Sequence, residues 1–370
     1  MNTYIINKPV PASKSQSKSQ PKRYSVVKLS QDVHAHNVVS SVQFEGQAPK
    51  PARKADPTVH LRRVAELVNE SEKVYSCYEA GPTGFTLHRQ LTELGVENIV
   101  VVPVRLDERG RRVVTDKTDT LQLGVRLDRY VAGNKEVFSV VRVPTVAEEQ
   151  RRAWTRQRKQ LQSQRLSVAA QGRSLALTQG WAISNDWWRK KAWEVLQKQL
   201  PAWVVEHLTS FHRVITTIDE ELEAIVKKIE GARRQQAHAQ PKWAGDISME
   251  TIEAEVCDWN RFTSWRKAGA YCGLTGGVSA SGQYHQDLSI TKVGNRRLRT
   301  ALIEMAWRMA RHQPNYWLTK KWARLLSPGA KAHRRQRKRA IVAYARALFV
   351  DLWKWKTNRV TAEELGWEMI

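Results

Sequence analysis

Tyr24-Ser-Val-Val-Lys-Leu29, Val74-Tyr-Ser-Cys-Tyr78 and Asn98-Ile-Val-Val-Val-Pro103 are the runs that decide the fold of the first part of this chain. Each is short, rich in β-branched or aromatic residues and bounded by polar or turn residues, as buried strands are. Asn37-Val-Val-Ser-Ser-Val-Gln43 predicts another strand directly after the first, ahead of a Pro-rich break at 49–57. Helical spacing separates the later runs, with His60, Val64, Leu67 and Val68 inside 59–71 and a second helix over 83–94. A third helix is predicted over 115–130, with Leu121, Val125 and Leu127 on its apolar side. Two leading strands followed by alternating helix and strand imply a mixed α/β sheet with helices packed on it, spanning 24–146.

Outside that region the composition shifts. Residues 1–23, with Ser13-Lys-Ser-Gln-Ser-Lys-Ser-Gln20, read as a disordered tail. Beyond Thr145 the chain turns to Gln, Arg, Glu and Trp. Trp154, Leu161, Val168 and Leu175 recur at heptad spacing, and Phe211, Ile218, Leu222, Ile225 and Ile229 form a fuller stripe. Long helices forming a coiled-coil stalk are therefore predicted over 147–234, the alternative being a hairpin folded back within the chain. Few partners for the stripe at 218, 222, 225 and 229 are evident in the sequence, so a homo-oligomer, dimer or tetramer, is expected. Trp181, Trp187, Trp188 and Trp193 interleave with Arg189, Lys190 and Lys191, and read either as core or as base-stacking residues. After a short Gln/His/Pro linker, 235–356 read as all-helical. One buried face comprises Leu298, Leu302, Met305, Ala306 and Met309, another Ile341, Ala345, Leu348, Phe349 and Leu352. Residues 357–370 read as a C-terminal tail.

Charge narrows the partners. The chain has 61 Lys+Arg against 36 Asp+Glu, a net +25. Residues 290–356 contain 18 Lys/Arg and two acids, Glu304 and Asp351, so +16 of the +25 lies there. Such a field favours nucleic acid, with binding that weakens as salt rises. No signal-like apolar stretch opens the chain and no run of about 18 apolar residues could span a bilayer, so no membrane partner and a cytoplasmic location are expected. Cys77, Cys257 and Cys272 are odd in number and widely spaced, which fits a reducing compartment rather than a disulfide or zinc framework. His34 and His36, two apart, are too little for a zinc site.

Cys272-Gly-Leu-Thr-Gly-Gly-Val-Ser-Ala-Ser-Gly282 sets serines in a glycine-rich segment read as a flexible loop. Thr291-Lys-Val-Gly-Asn-Arg-Arg-Leu-Arg299 then opens a helix with cations. Lys292, Arg296, Arg297 and Arg299 crowd a helix N-terminus, which reads either as a phosphate site, an anion relieving the conflict, or as a surface helix with solvated arginines after an ordinary Ser/Gly loop. Lys331-Ala-His-Arg-Arg-Gln-Arg-Lys-Arg339 reads as a second phosphate contact, through Arg334, Arg335, Arg337, Lys338 and Arg339.

Four carboxylates stand apart from this basic half. Asp32 is expected just after the first strand, and Glu79 at the end of the strand 74–78. Asp116 and Asp119 sit at i and i+3 of a helix start that Thr115 would cap. Each has a bland reading as a turn or cap residue. Together, four acids at strand ends and a helix start could hold two divalent cations such as Mg²⁺, which take carboxylate oxygens and keep positions open for phosphate.

Lys28-Leu-Ser-Gln-Asp-Val-His34, Cys77-Tyr-Glu-Ala-Gly81 and Val113-Val-Thr-Asp-Lys-Thr-Asp119 resemble the three acidic motifs of the DEDD transposases of the insertion-sequence 110 family, related to the Piv invertases. Tyr271-Cys-Gly-Leu-Thr275, Ser281-Gly282 and Lys292–Arg299 resemble its C-terminal domain, with Asp258-Trp-Asn-Arg-Phe262 as the lead-in. The resemblance implies an RNase H-like (RuvC-like) domain carrying Asp32, Glu79, Asp116 and Asp119 around Mg²⁺. It also implies a helical stalk and a helical domain with a nucleophilic serine. Ser281 occupies the Ser-Gly position, and Ser279 is the competitor. Such recombinases are expected to attack DNA through the serine, guided by a bridging RNA. Two departures stand out: Gly276 replaces the usual proline after Gly-Leu-Thr, and the usual glycine hairpin is reduced to Gly245-Asp-Ile-Ser-Met-Glu250. The alternatives are a RuvC-like junction nuclease using activated water and a non-catalytic RNA- or DNA-binding protein.

Overall fold

The β-branched run after residue 23 forms the centre of a five-stranded sheet. The computed structural model describes residues 23–103, 115–235, 239–281 and 284–370, in two compact units, 1–143 and 144–370. Residues 1–22 of the expected tail, Val113, Val114, the linker residues 236–238 and Gly282 lie outside the described residues.

In the first unit, β1 (Tyr24–Val33) pairs antiparallel with β2 (Val38–Phe44), which pairs antiparallel with the edge strand β3 (Arg53–Ala55). On its other side β1 runs parallel to β4 (Ser71–Glu79), and β4 parallel to β5 (Glu97–Val101), giving the order β3-β2-β1-β4-β5. The chain returns from β3 to β4 through α1 (Pro57–Glu70), and from β4 to β5 through α2 (Thr86–Glu93). α1 starts where Asp56 accepts from Thr58 N at 2.8 Å and Pro57 supplies a preset φ. It buries Leu61, Val64 and Leu67 with Leu87 and Leu91 of α2 against Val27, Leu29, Val74 and Val100. α3 (Asp116–Val131) covers the opposite face, packing Leu123 and Leu127 on Cys77 and Val101. A mixed sheet with helices on both faces is compatible with an RNase H-like fold.

Three local expectations change. The Pro-rich break contains β3. Asp32 lies within β1 rather than after it, because pairing with β2 carries the strand on to Val33. On α3, Val125 is exposed, while Thr120, Leu123, Gly124 and Leu127 face inward. Gly124 fixes that phase: a Cβ there would stand 3.1 Å from Ser30 Oγ, so the helix meets the sheet at this point.

His60 of α1 is buried with Nε2 2.6 Å from Gln31 Oε1, and burial pushes its imidazole from 6.5 down to about 4. The unfolded chain therefore binds the proton more readily. Stability from this site is complete above pH 6.5 and is lost as pH falls toward 4, by about 3 kcal/mol in all. His60→Gln keeps a donor for Gln31 without titrating. Urea unfolding at neutral pH and near pH 4.5 should show a shallower acid loss in that variant than in the wild type.

The second unit begins with α4 (Val146–Thr178), whose start is a capping box of Thr145 and Glu148. It continues through α5 (Lys190–Gln199) into α6 (Ala202–Gln235), which returns along α4. This is the hairpin alternative: Ile215, Leu222, Ile225 and Ile229 are buried within the chain against α4 and against α7 (Asp246–Val256). Of the stripe expected to seek a second copy, Leu222, Ile225 and Ile229 are covered within the chain, while Phe211 and Ile218 stay half-buried. Trp187 and Trp193 are core rather than stacking residues. Trp187 donates from Nε1 to Ala169 O at 3.0 Å and lies directly on Gly172, where a Cβ would stand 2.4 Å from its Cζ2. Gly172→Ala should therefore cost about 2 kcal/mol and lower the thermal midpoint by roughly 4–8 °C, with partial recovery when combined with Trp187→Phe.

α8 (Trp265–Tyr271), α9 (Arg296–His312), α10 (Trp317–Leu326), α11 (Arg334–Lys356) and α12 (Ala362–Leu365) complete this unit. All ten apolar residues expected on the two faces, five on α9 and five on α11, are buried. Two expectations fail. Between α8 and α9 stands a β-hairpin, β6 (Gly276–Ser281) and β7 (Tyr284–Ile290), so the unit is not all-α and the serine segment is strand rather than loop. The 357–370 tail is part of the core, with Leu365 and Trp367 buried and Ile370 N donating to Gln240 O at 3.0 Å. α7 carries buried Glu250, Glu253 and Glu255, paired with Arg151 and Arg156 of α4, Arg233 of α6 and Lys356 of α11. Unpaired, such buried charges would be strongly destabilising. Among the described residues no helix is long and apolar enough to cross a membrane.

Candidate functional site

Parallel pairing of β1 and β4 brings their C-terminal ends together. Gln31 is opposite Tyr78, so the next residues, Asp32 and Glu79, are neighbours. Both line a cleft of about 580 Å³ with His34, Gly81, Thr83 and Thr86. α3 begins at the same place. Thr115 caps it, accepting from Thr118 N at 3.3 Å, as the sequence predicts. This aims Asp116 inward, with Oδ2 3.3 Å from His34 Nε2, which is also 3.3 Å from Asp32 Oδ2. Asp32, His34 and Asp116 each present a ligand atom within 4.8 Å of the others. Asp119, one turn further, shares the field: burial and then the charges of Asp32 and Asp116 raise its carboxyl above the usual range. Burial also raises Asp32; His34 lowers it, and Asp116 adds a like charge that raises it. Converging carboxylates destabilise one another, and a cation relieves this. Oxygen donors joined by one solvent-shielded imidazole nitrogen fit a divalent cation. Sequence reasoning missed His34 as a member; its one local signal was the i, i+2 spacing from Asp32 at the end of β1, His34 standing one residue past the strand.

The hairpin of the second unit places Ser279 and Ser281 on one face. Ser281 pairs with Tyr284 and Ser279 with Gln286, and Tyr284 Oη donates to Gln286 Oε1 at 2.6 Å. Both serines are exposed. Gly276 faces Ile290 at the base, where the register shifts between Gly276 and Val278. Ser281 is therefore at the tip. By sequence distance it should be nearest the cationic helix start, but strand direction reverses this: Ser279 is two residues, about 7 Å, closer to the base.

At that helix start, Asn295 Oδ1 accepts from Arg297 N (2.9 Å) and Leu298 N (3.2 Å). Its Nδ2 donates to Glu255 Oε2 at 2.6 Å, and Arg156 holds the same carboxylate through Nε and Nη2. Burial opposes ionisation of Glu255, yet Arg156 and Asn295 hold its carboxyl below the usual range. The anion that the cationic start demands is thus partly supplied from within. Arg296 and Arg297 are exposed. Arg299 turns back, donating to Lys292 O at 3.2 Å and Cys272 O at 3.5 Å. Beneath it two glycines interlock: a Cβ on Gly273 (φ 66°) would stand 2.4 Å from Val293 O, and one on Gly294 (φ 125°) 2.6 Å from Tyr271 O. Both motifs need glycine there for backbone contact. At the start of α11, Arg334, Arg335, Lys338 and Arg339 are exposed, and Arg337 lies 5.8 Å over the Trp307 ring.

A carboxylate cluster at strand ends and a strongly basic helical unit in one chain define an enzyme that acts on nucleic acid. Residues 244–323 match the family described as "Transposase IS116/IS110/IS902 family". Over 335 residues the chain is 31% identical to "Putative transposase y4rJ" of Sinorhizobium fredii, covering 82% of this chain and 84% of that one. It is 27% identical over 180 residues to the "Transposase for insertion sequence element IS1533" of Leptospira borgpetersenii, covering 45% of this chain and 48% of the relative. To the "Transposase for insertion sequence element IS1111A" of Coxiella burnetii it is 32% identical over 144 residues, 39% of this chain and 37% of the relative. The chain belongs to the IS116/IS110/IS902 transposase family.

Proposed function

We propose that this transposase cuts and rejoins DNA through a phosphoserine intermediate, with Ser281 as nucleophile and an RNase H-like first unit holding Mg²⁺. The observation that supports the reading is that Asp32 and Glu79 line one strand-end cleft, with Asp116 grouped beside Asp32 and His34 and Asp119 within the field of both aspartates. Asp32, Asp116 and His34 would hold the cation, with Glu79 and Asp119 beside them. When bound, Mg²⁺ supplies positive charge that favours attack on a phosphodiester.

The serine Oγ attacks phosphorus, one P–O bond to deoxyribose breaks, and the released sugar hydroxyl carries away the proton. Reversal by another hydroxyl reseals the strand without ATP. The exposed Arg296 and Arg297, with the cations of 334–339, bind phosphates. A bridging RNA supplies sequence choice by pairing, and the action takes place at the nucleoid in the cytoplasm.

The carboxylate cluster is also consistent with direct hydrolysis by activated water, and one experiment separates the readings. Denaturing electrophoresis after reaction with labelled DNA should show a protein–DNA adduct that needs a divalent cation. Cleavage without any adduct would establish hydrolysis instead.

A further inference from the structure

We propose that Trp243 and His312 form a stacking platform for one unpaired nucleobase of a nucleic-acid strand. The inference uses the nucleic-acid partner of the reading above but none of its chemistry. Trp243 has φ 69°, in the left-handed region that a bulky side chain disfavours. Its surroundings enforce that conformation. Arg308 donates from Nε to Trp243 O at 3.2 Å, and from Nη2 to Ala244 O at 2.6 Å and to Ser248 Oγ. Gln313 Nε2 donates to Lys242 O at 2.8 Å, and Lys242 N to Glu368 O at 2.7 Å. A turn that suits glycine is thus clamped around a tryptophan, and strain of this kind collects at binding sites.

What the strain achieves is a surface. Trp243 remains 46% exposed, as do Trp203 and Trp265 at 47%, while Trp187, Trp193, Trp353 and Trp367 are buried. It lies flat on His312 at the C-terminal end of α9, ring centroids 4.4 Å apart and planes 22° from parallel. Among the described tryptophans, Trp243 alone combines such exposure with a positive φ, and burial in the core does not account for that combination. A base does, because any base presents a π-face to an aromatic platform. Charges stand beside it in the sequence: the exposed Arg311 precedes His312, and Lys242, its Nζ 3.7 Å from Glu368 Oε2, precedes Trp243. An apolar protein segment would find these charges unwelcome, whereas a phosphate next to the stacked base would not.

The test is anisotropy titration of a short labelled oligodeoxynucleotide, its RNA counterpart and an abasic DNA of equal length. Trp243→Gly suits the backbone and should keep or raise the thermal midpoint. It should weaken binding of a base-containing strand roughly ten-fold while leaving abasic binding unchanged. Trp243→Phe should retain most of the affinity, and His312→Ala should lose part of it. Whichever of DNA or RNA shows the larger loss is the strand that uses the platform. Should Trp243→Gly unfold, Trp243→Asn, also at home at positive φ, replaces it. Equal affinity of wild type and variant for both base-containing strands, or an equal loss on abasic DNA, overturns the proposal. Adduct formation in the same preparations reports on the serine chemistry separately: its absence beside a base-specific loss would refute the recombination reading and leave the platform standing.

Discussion

Asp32→Asn should leave the protein folded and bound to DNA while lowering strand cleavage by roughly a thousandfold or more. The amide keeps the carboxylate's shape but removes one of the charges that face each other in the cleft with His34 and Asp116. Stability should move the opposite way from activity. The Asp32 carboxyl is raised by burial and by its like-charged neighbour, so its ionised form costs stability above its titration range, and that cost disappears as pH falls and the group protonates. At neutral pH the amide variant should melt at or above the wild-type temperature, and the difference should shrink under acid. Mg²⁺ or Mn²⁺ should raise the wild-type thermal midpoint and have less effect on the variant, a readout independent of activity. Asp119→Ala should behave likewise, and wild-type cleavage by that protein would sink the four-carboxylate site.

Ser281→Ala should remove the protein–DNA adduct and recombination, whereas Ser279→Ala should reduce activity only modestly. The two hydroxyls share a face of the hairpin, so position along it separates them. Ser281 is the last described residue of β6, at the tip, opposite Tyr284. Ser279 stands lower, opposite the Gln286 amide that Tyr284 engages. A nucleophile at the tip meets a DNA phosphate without bringing the hairpin base against the duplex. Peptide mass spectrometry after nuclease digestion locates the phosphodiester remnant, and a remnant on Ser279 would reassign the nucleophile.

Much of the first unit was legible in the sequence because its signals are local. Strand runs, the Thr115 cap and the position of Glu79 at a strand end all follow from neighbours a few residues apart. His34 was not, since its partner Asp116 is far away in sequence. The α6 stripe was visible, but periodicity names a buried face and not the surface that buries it; here α4 and α7 do. Glycine and serine in 276–282 suggested a loop, and what makes 276–281 a strand is its pairing with 284–290, which no apolar alternation in the sequence announces. Trp367 looked like part of a tail because the groups it packs with come from elsewhere in the chain. Asn295 similarly takes up helix-start amides with the help of Glu255, 40 residues earlier.

The interlocked glycines have a mechanical consequence. Gly273 and Gly294 fasten the root of the hairpin to α8 and α9 as a rivet would, and the register shift at Gly276 and Val278 lies just outside the rivet. From there to Ser281 the two-stranded ribbon is an oar roughly 17 Å long. A pivot of only about 10° at the root would sweep the serine through about 3 Å, the difference between a hydroxyl in van der Waals contact with a phosphate and one well out of reach.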